Sequence, residues 1–192
     1  ADEVEHFLAR VPDRTIVVFD EAYWEFAQGP DFPESLAYVK QGRRVLVLRT
    51  FSKAASLAGL RVGYCVGDAD AIALMNRIRQ PFNVNSLAQV AALAALEDEG
   101  HILECLRTIE AGRAFLYEEF KALGIKYVPS RANFILVDVG RSATDIYQKL
   151  LREGVIVRPL TPFGMETALR ITVGTPHENR KLVKGLRSVL GK

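Results

Sequence analysis

The sequence predicts an α/β fold in its first half and a smaller α+β layer in its second. Three observations carry that reading. Thr15 to Phe19, Val45 to Leu48 and Arg61 to Val66 are short apolar, often β-branched runs, the pattern of buried strands. Helix-like segments follow or separate them, as in a parallel α/β sheet. From Ile102 onward the pattern changes. Ile102, Leu106, Ile109, Leu116, Phe120 and Leu123 recur at helical spacing, and short strand-like runs come after them. A chain of 192 residues that is 49% hydrophobic has enough apolar material for one large domain or two small ones. The change of character near Asp98 to His101 divides it into 1–100 and 101–192.

Each element has a local cause. Asp2 to Leu8 is a helix-like lead-in, and the chain starts at Ala1 without a methionine, as a chain begun inside something longer would. Gln28-Gly29-Pro30-Asp31-Phe32-Pro33 is loop by composition. Asp68 is placed to cap a helix through about Arg79, which Pro81 stops. Ser86 with Gln89 has capping-box spacing and opens an alanine-rich helix through about Leu96. Gly124 is a stop for the long helix that follows. Lys126 to Val128 and Asn133 to Val137 read as strands, Ser142 with Asp145 as another capping box, and Gly154 as the end of that helix. Val155 to Val157 and Leu169 to Val173 are the last expected strands. Thr175, Pro176 and Glu178 start a final helix whose apolar face is Leu182, Val183, Leu186, Val189 and Leu190.

Several function classes are disfavoured at once. A formal charge of +2 with short, scattered basic pairs is no nucleic-acid footprint. No apolar run approaches the ~18 residues of a membrane span, and no signal peptide is present, so a cytoplasmic protein without membrane or nucleic-acid partners is expected. Cys65 and Cys105 are too few for a disulfide framework and lack CxxC spacing. His6, His101 and His177 are scattered without metal-ligand spacing, so no metal is expected. Phosphate loops, GxGxxG turns and GxSxG elbows are missing.

The chemistry gathers around Thr50-Phe51-Ser52-Lys53, with Arg61 eight residues beyond the lysine. Lys53 lies just past a strand, and open α/β sheets place their sites at the carboxyl ends of strands. Alone, a loop lysine is a surface residue. Its flanks change that: Thr50 and Ser52 offer hydroxyls, and Arg61 offers a planar fork suited to two phosphate oxygens. A desolvated lysine near positive charge is also a useful nucleophile. Asp20 follows Val17-Val18-Phe19 directly, so its carboxylate emerges at a strand tip, where an anion favours the charged form of a neighbouring base, or caps the strand-to-loop junction. Tyr23, three residues on, offers a phenol hydroxyl donor, or packs under the loop with Trp24 and Phe26. Arg158 and Arg170, in or after strands of the second half, suit an anionic substrate tail; Arg170, inside Ala168-Leu169-Arg170-Ile171-Thr172-Val173, needs a partner if buried.

These residues resemble the fold-type I pyridoxal-phosphate aminotransferases, most closely the histidinol-phosphate aminotransferase family. The matching pieces are Val18-Phe19-Asp20-Glu21-Ala22-Tyr23, Thr50-Phe51-Ser52-Lys53, Ala58-Gly59-Leu60-Arg61-Val62-Gly63-Tyr64, Pro81-Phe82-Asn83-Val84-Asn85, Val157-Arg158-Pro159-Leu160 and Leu169-Arg170-Ile171-Thr172-Val173-Gly174. The resemblance implies part of a large three-layer α/β/α domain followed by a small α+β domain. It implies pyridoxal 5'-phosphate as cofactor, with Lys53 as the lysine that bonds it and carries protons. It implies Asp20 on the pyridine nitrogen, Tyr23 on the ring oxygen, and Thr50, Ser52 and Arg61 around the phosphate. Arg170 and Arg158 would hold the anionic end of a phosphorylated amine, with 2-oxoglutarate as amine acceptor. A homodimer is expected at full length.

Members of that family are roughly twice this long. Their first half supplies a glycine-containing phosphate turn, a ring stacked on the pyridine, and an asparagine near the ring oxygen. The resemblance therefore implies the C-terminal half of such an enzyme, inactive as it stands, with an open sheet edge. A threonine-phosphate decarboxylase shares the lysine, aspartate and arginine, and a non-catalytic interaction module of the same fold is the third reading.

Overall fold

A computed structural model describes residues 2–192. The chain divides into two compact units, one ending at Leu103 and the other running Glu104–Lys192.

The first unit is built on a three-stranded sheet of β1 (Val17–Asp20), β2 (Val45–Thr50) and β3 (Gly63–Gly67), in that order. β1 and β2 run parallel, with Asp20 opposite Leu48. β3 runs antiparallel to β2, with Thr50 opposite Gly63. The sheet is thus mixed, where strand and helix alternation predicts a parallel one. The segment between β2 and β3 doubles back through a short 3-10 turn, Ala58–Leu60, in place of a crossover helix. Alternation along β2 buries Val45, Val47 and Arg49 on one face and turns Leu46, Leu48 and Thr50 to the other.

The helices of this unit are α1 (Asp2–Leu8), α2 (Trp24–Ala27), α3 (Ser35–Lys40), α4 (Ala69–Ile78) and α5 (Ser86–Glu97). Asp68 caps α4 as expected, accepting from the N–H groups of Asp70 and Ala71. The cap of α5 is Asn85, one residue earlier than the Ser86–Gln89 spacing implies. Its side chain accepts from Ala88 N–H at 2.9 Å, while Gln89 Nε2 donates to the Val84 carbonyl at 3.0 Å. Ala88 and Ala92 of α5 pack with Phe51, Ala55 and Val62, so the segment after β2 rests on this helix.

A long helix, α6 (Glu99–Ala122), carries the chain into the second unit, and Gly124 follows it at φ +60°. The second unit is an antiparallel four-stranded sheet in the order β4-β5-β7-β6, from β4 (Lys126–Val128), β5 (Phe134–Asp138), β6 (Arg158–Pro159) and β7 (Ala168–Thr172). Its helices besides α6 are α7 (Ala143–Arg152) and α8 (Pro176–Leu190). Leu116, Phe120, Ile135, Val137, Ile146, Leu150, Leu169, Ile171 and Leu186 form its core. Ser142 caps α7 by accepting from Asp145 N–H. Thr175 and Glu178 complete a reciprocal capping box at α8.

The expected strand at Val155 to Val157 does not form. Val155 and Val157 are buried but lie in loop, and ladder pairing begins only at Arg158. Burial wrote the apolar signal there without a strand partner. No helix among the described residues is long and apolar enough to cross a membrane.

Candidate active site

The residues singled out in the first unit sit on two adjoining strand ends and on the turns beyond them. Asp20 ends β1, exposed, with one carboxylate oxygen accepting from Ala22 N–H at 3.2 Å. Tyr23 stands at the entry to α2, half-buried. The Lys53 Nζ lies 5.3 Å from the centroid of the Tyr23 ring, within cation–π range. The turn from the end of β1 and the turn from the end of β2 therefore meet at this pair.

Thr50 works inside its own turn. Its Oγ1 accepts from Ser52 N–H at 3.1 Å and reaches the Val62 carbonyl at 3.5 Å. Ser52 Oγ stands 3.5 Å from Arg61 Nη1, and the same nitrogen donates to the Ala58 carbonyl at 2.8 Å. Arg61 adopts a left-handed conformation, φ +55° and ψ +51°, which for a residue with a long side chain is held only by its surroundings. The exposed guanidinium is thereby turned back over the Ser52 hydroxyl. A hydroxyl and a guanidinium side by side at a strand-end turn make a donor set for a phosphate.

Two features of this unit were not read from the sequence. Ser56, also left-handed at φ +60°, donates its N–H to the Lys53 carbonyl at 2.9 Å, and its Oγ lies 3.1 Å from His101 Nε2. This ties the turn after Lys53 to the start of α6. The second is a buried ion pair on the reverse face of the sheet. Arg49 Nε donates to Glu21 Oε2 at 2.9 Å, Ser35 Oγ donates to Glu21 Oε1 at 2.5 Å, and the Arg49 guanidinium lies 3.7 Å from the centroid of the Trp24 ring. Glu25 is drawn into the same cluster: burial pushes its carboxyl above the ordinary range, Arg49 opposes that shift and Glu21 adds to it. Period 2 along Val45-Leu46-Val47-Leu48-Arg49 puts the arginine on the face of Val45 and Val47, but the run is apolar on both faces, and only the structure shows that this face is the buried one.

In the second unit, Arg158 and Arg170 stand directly opposite each other on β6 and β7. Two like charges at paired positions repel, and each guanidinium leans on a ring: Arg158 is 5.6 Å from Phe163, Arg170 is 5.2 Å from Phe134. Arg170 Nε is buried without a hydrogen-bond partner. Such a pair is poised for an anion. No cluster of metal-ligating side chains exists among the described residues.

Comparison with known proteins names the class. The sequence pattern of the aminotransferase class I and II family matches residues 1–186, and the chain belongs to that family. It is 50% identical over 190 residues to histidinol-phosphate aminotransferase 2 of Pseudomonas aeruginosa, a match covering 99% of this chain and 52% of the relative. The chain spans about half the length of the curated relatives it matches. Its fold is similar to that of histidinol-phosphate aminotransferase from Sinorhizobium meliloti, solved in complex with pyridoxal-5'-phosphate, with a TM-score of 0.89 at 29% identity, covering 100% of this chain and 53% of that one. It is also similar to L-threonine-O-3-phosphate decarboxylase from Porphyromonas gingivalis, with a TM-score of 0.85 at 26% identity, covering 100% of this chain and 59% of that one.

Proposed function

We propose that this chain carries the lysine-bearing part of a pyridoxal-phosphate site, and that the full-length protein is a histidinol-phosphate aminotransferase. It would transfer the amine of L-histidinol phosphate to 2-oxoglutarate, giving imidazole acetol phosphate and L-glutamate in histidine biosynthesis. The observation that carries the reading is the meeting of Lys53 Nζ with the Tyr23 ring at 5.3 Å, between two strand-end turns that also present Asp20, Ser52 and Arg61.

The residues present fit the cofactor's chemistry. Arg61 and the Ser52 hydroxyl form the phosphate donor set, and Thr50 holds the turn that presents Ser52. The Asp20 carboxylate at the end of β1 is the anion for a protonated ring nitrogen, and the Tyr23 hydroxyl the donor for the ring oxygen. When bound, pyridoxal phosphate supplies an electron sink that makes a substrate C–H bond acidic. Lys53 Nζ would hold the cofactor and, as a free amine, would be the base and then the acid that moves one proton. Arg158 and Arg170 take the anionic end of the substrate, whose phosphate would relieve their mutual repulsion and satisfy Arg170 Nε.

The histidinol-phosphate specificity rests on the 50% identity with the Pseudomonas aeruginosa relative. Half of the relatives' length is not in this chain, so the 192 residues alone are expected to be inactive. A homodimer in the cytoplasm belongs to the same reading. The likeness to the Porphyromonas gingivalis decarboxylase keeps a second one in play, decarboxylation of a phosphorylated amino acid.

The test is a full-length chimera in which this chain replaces its counterpart in the Pseudomonas aeruginosa relative. Glutamate formation from L-histidinol phosphate and 2-oxoglutarate, abolished by Lys53→Ala, is the expected result. Carbon dioxide release from O-phosphothreonine without glutamate would give the second reading. A folded chimera that binds no cofactor would leave a non-catalytic module.

A further inference from the structure

The Arg49–Glu21 pair is among the most buried charge in the chain, with side-chain exposures of 7% and 4%. As a source of stability it is a poor choice. Desolvating two charges costs several kcal/mol, and well-packed apolar residues often do as well or better. One guanidinium nitrogen, Arg49 Nη2, is buried without a partner, which adds to the cost. The pair does fix geometry. Three side chains of this cluster are each the sequence neighbour of a residue in the candidate site: Glu21 follows Asp20, Trp24 follows Tyr23, and Arg49 precedes Thr50. Glu21 N–H also donates to the Leu48 carbonyl at 2.9 Å, continuing the β1–β2 ladder past Asp20, and Ser35 at the start of α3 holds the second Glu21 oxygen.

We propose that Arg49 is a positioning residue which, through Glu21 and Trp24 on the reverse face of the sheet, sets the strand-end turn bearing Asp20 and Tyr23 in register with the turn bearing Lys53. The proposal rests on the pyridoxal-phosphate reading above. The role needs arginine specifically. Its planar group donates Nε to the Glu21 carboxylate while its face lies against the indole, and a lysine ammonium cannot do both. Loosening the clamp frees Trp24 and shifts Tyr23 away from Lys53 Nζ, so that the Tyr23 hydroxyl and the lysine amine are no longer held to face one cofactor.

Three readouts test this in Arg49→Lys and Ser35→Ala, the second removing only one of the Glu21 hydrogen bonds. Trp24 is the only tryptophan in the 192 residues, so its emission and acrylamide quenching in this chain report the clamp itself. Borohydride trapping of pyridoxal phosphate in the full-length chimera, mapped by peptide mass, reports the share of label on Lys53. Thermal unfolding reports structure, with Val47→Ala, a buried cavity on the same strand face, as a matched destabilised control. The expected result is a clear rise in Trp24 quenching and a tenfold or larger fall in the Lys53 share for Arg49→Lys. Ser35→Ala should fall between it and the parent, and Val47→Ala should keep the parent's Lys53 share. An unchanged Lys53 share with a freed Trp24, or an equal fall in Val47→Ala, would reduce Arg49 to a structural residue while leaving the cofactor reading intact. No preference for Lys53 in the parent chimera would remove the cofactor reading and this proposal with it.

Discussion

Gly63 pairs with Thr50 where β3 leaves the candidate site, and adding one methyl there sets stability against site geometry. A Cβ at Gly63 would lie 2.8 Å from the Arg49 carbonyl oxygen and 3.5 Å from the Thr50 Cα. Both are backbone atoms of β2, so no side chain can swing aside. Ordinary contact needs roughly 3.4 Å or more, so the strands must part by about half an ångström at this pair. Overpacking of this kind costs about 1–3 kcal/mol, which for a chain of this size lowers Tm by about 2–12 °C if it unfolds as one cooperative unit. The displacement acts on the turn that sets Arg61 over Ser52, separated by 3.5 Å. Gly63→Ala is therefore expected to lower Tm and also to weaken phosphate retention at that turn. Gly59→Ala, four residues away with open space around its Cβ, is the control. It should be neutral or raise stability by about 0.4–1 kcal/mol, because the unfolded chain loses freedom. Thermal unfolding of both variants by circular dichroism, beside the parent, is the assay. Gly63→Ala melting at or above the parent would refute the argument from close approach.

Other expectations are separate in place and cause. Phosphate or sulfate should stabilise the second unit by occupying the space before Arg158 and Arg170, by about 1.4 kcal/mol at tenfold excess over Kd, seen as a raised melting temperature; in Arg170→Met the stabilisation should vanish, and an unchanged one would move the anion elsewhere. Thr175→Ala removes the capping-box oxygen and should cost about 1 kcal/mol, seen in urea unfolding midpoints. The hydrogen bonds from Thr175 N–H and hydroxyl hold the Glu178 carboxyl below its usual range. Its folded-state pKa lies under its unfolded one, so its contribution is present above the unfolded value and is lost as pH falls through the folded one. Glu178→Gln should therefore flatten the acid limb of the stability curve, and an unaltered limb would count against that linkage.

Much of the fold was legible because its elements are written in local chemistry. Asp68 and Thr175 cap the helices their spacing announces, and Gly124 and Gly154 take the left-handed conformation that ends a helix. Strand direction was not legible. Periodicity along Arg61 to Val66 marks a strand without saying which way it runs, and only the folded turn at Ala58–Leu60 makes β3 antiparallel. Val155 to Val157 shows the converse: two buried valines write a strand-like run where no ladder reaches. At the candidate site, Lys53, Asp20, Tyr23, Ser52 and Arg61 were named from motif spacing, and the structure of the first unit brings the Lys53–Tyr23 and Ser52–Arg61 pairs together. The Glu21–Ser35 contact joins residues 14 apart, and the Arg49–Glu21 pair residues 28 apart, so no local window holds either.

The most direct test of the central claim is which lysine captures the cofactor. Pyridoxal phosphate is added to the full-length chimera and to this chain alone, borohydride fixes whatever amine has bonded it, and peptide mass mapping locates the label. The account predicts a dominant adduct on Lys53 in the chimera and a weak one or none in the isolated chain. Label spread evenly over surface lysines, or absent from Lys53 in a folded chimera, would contradict it.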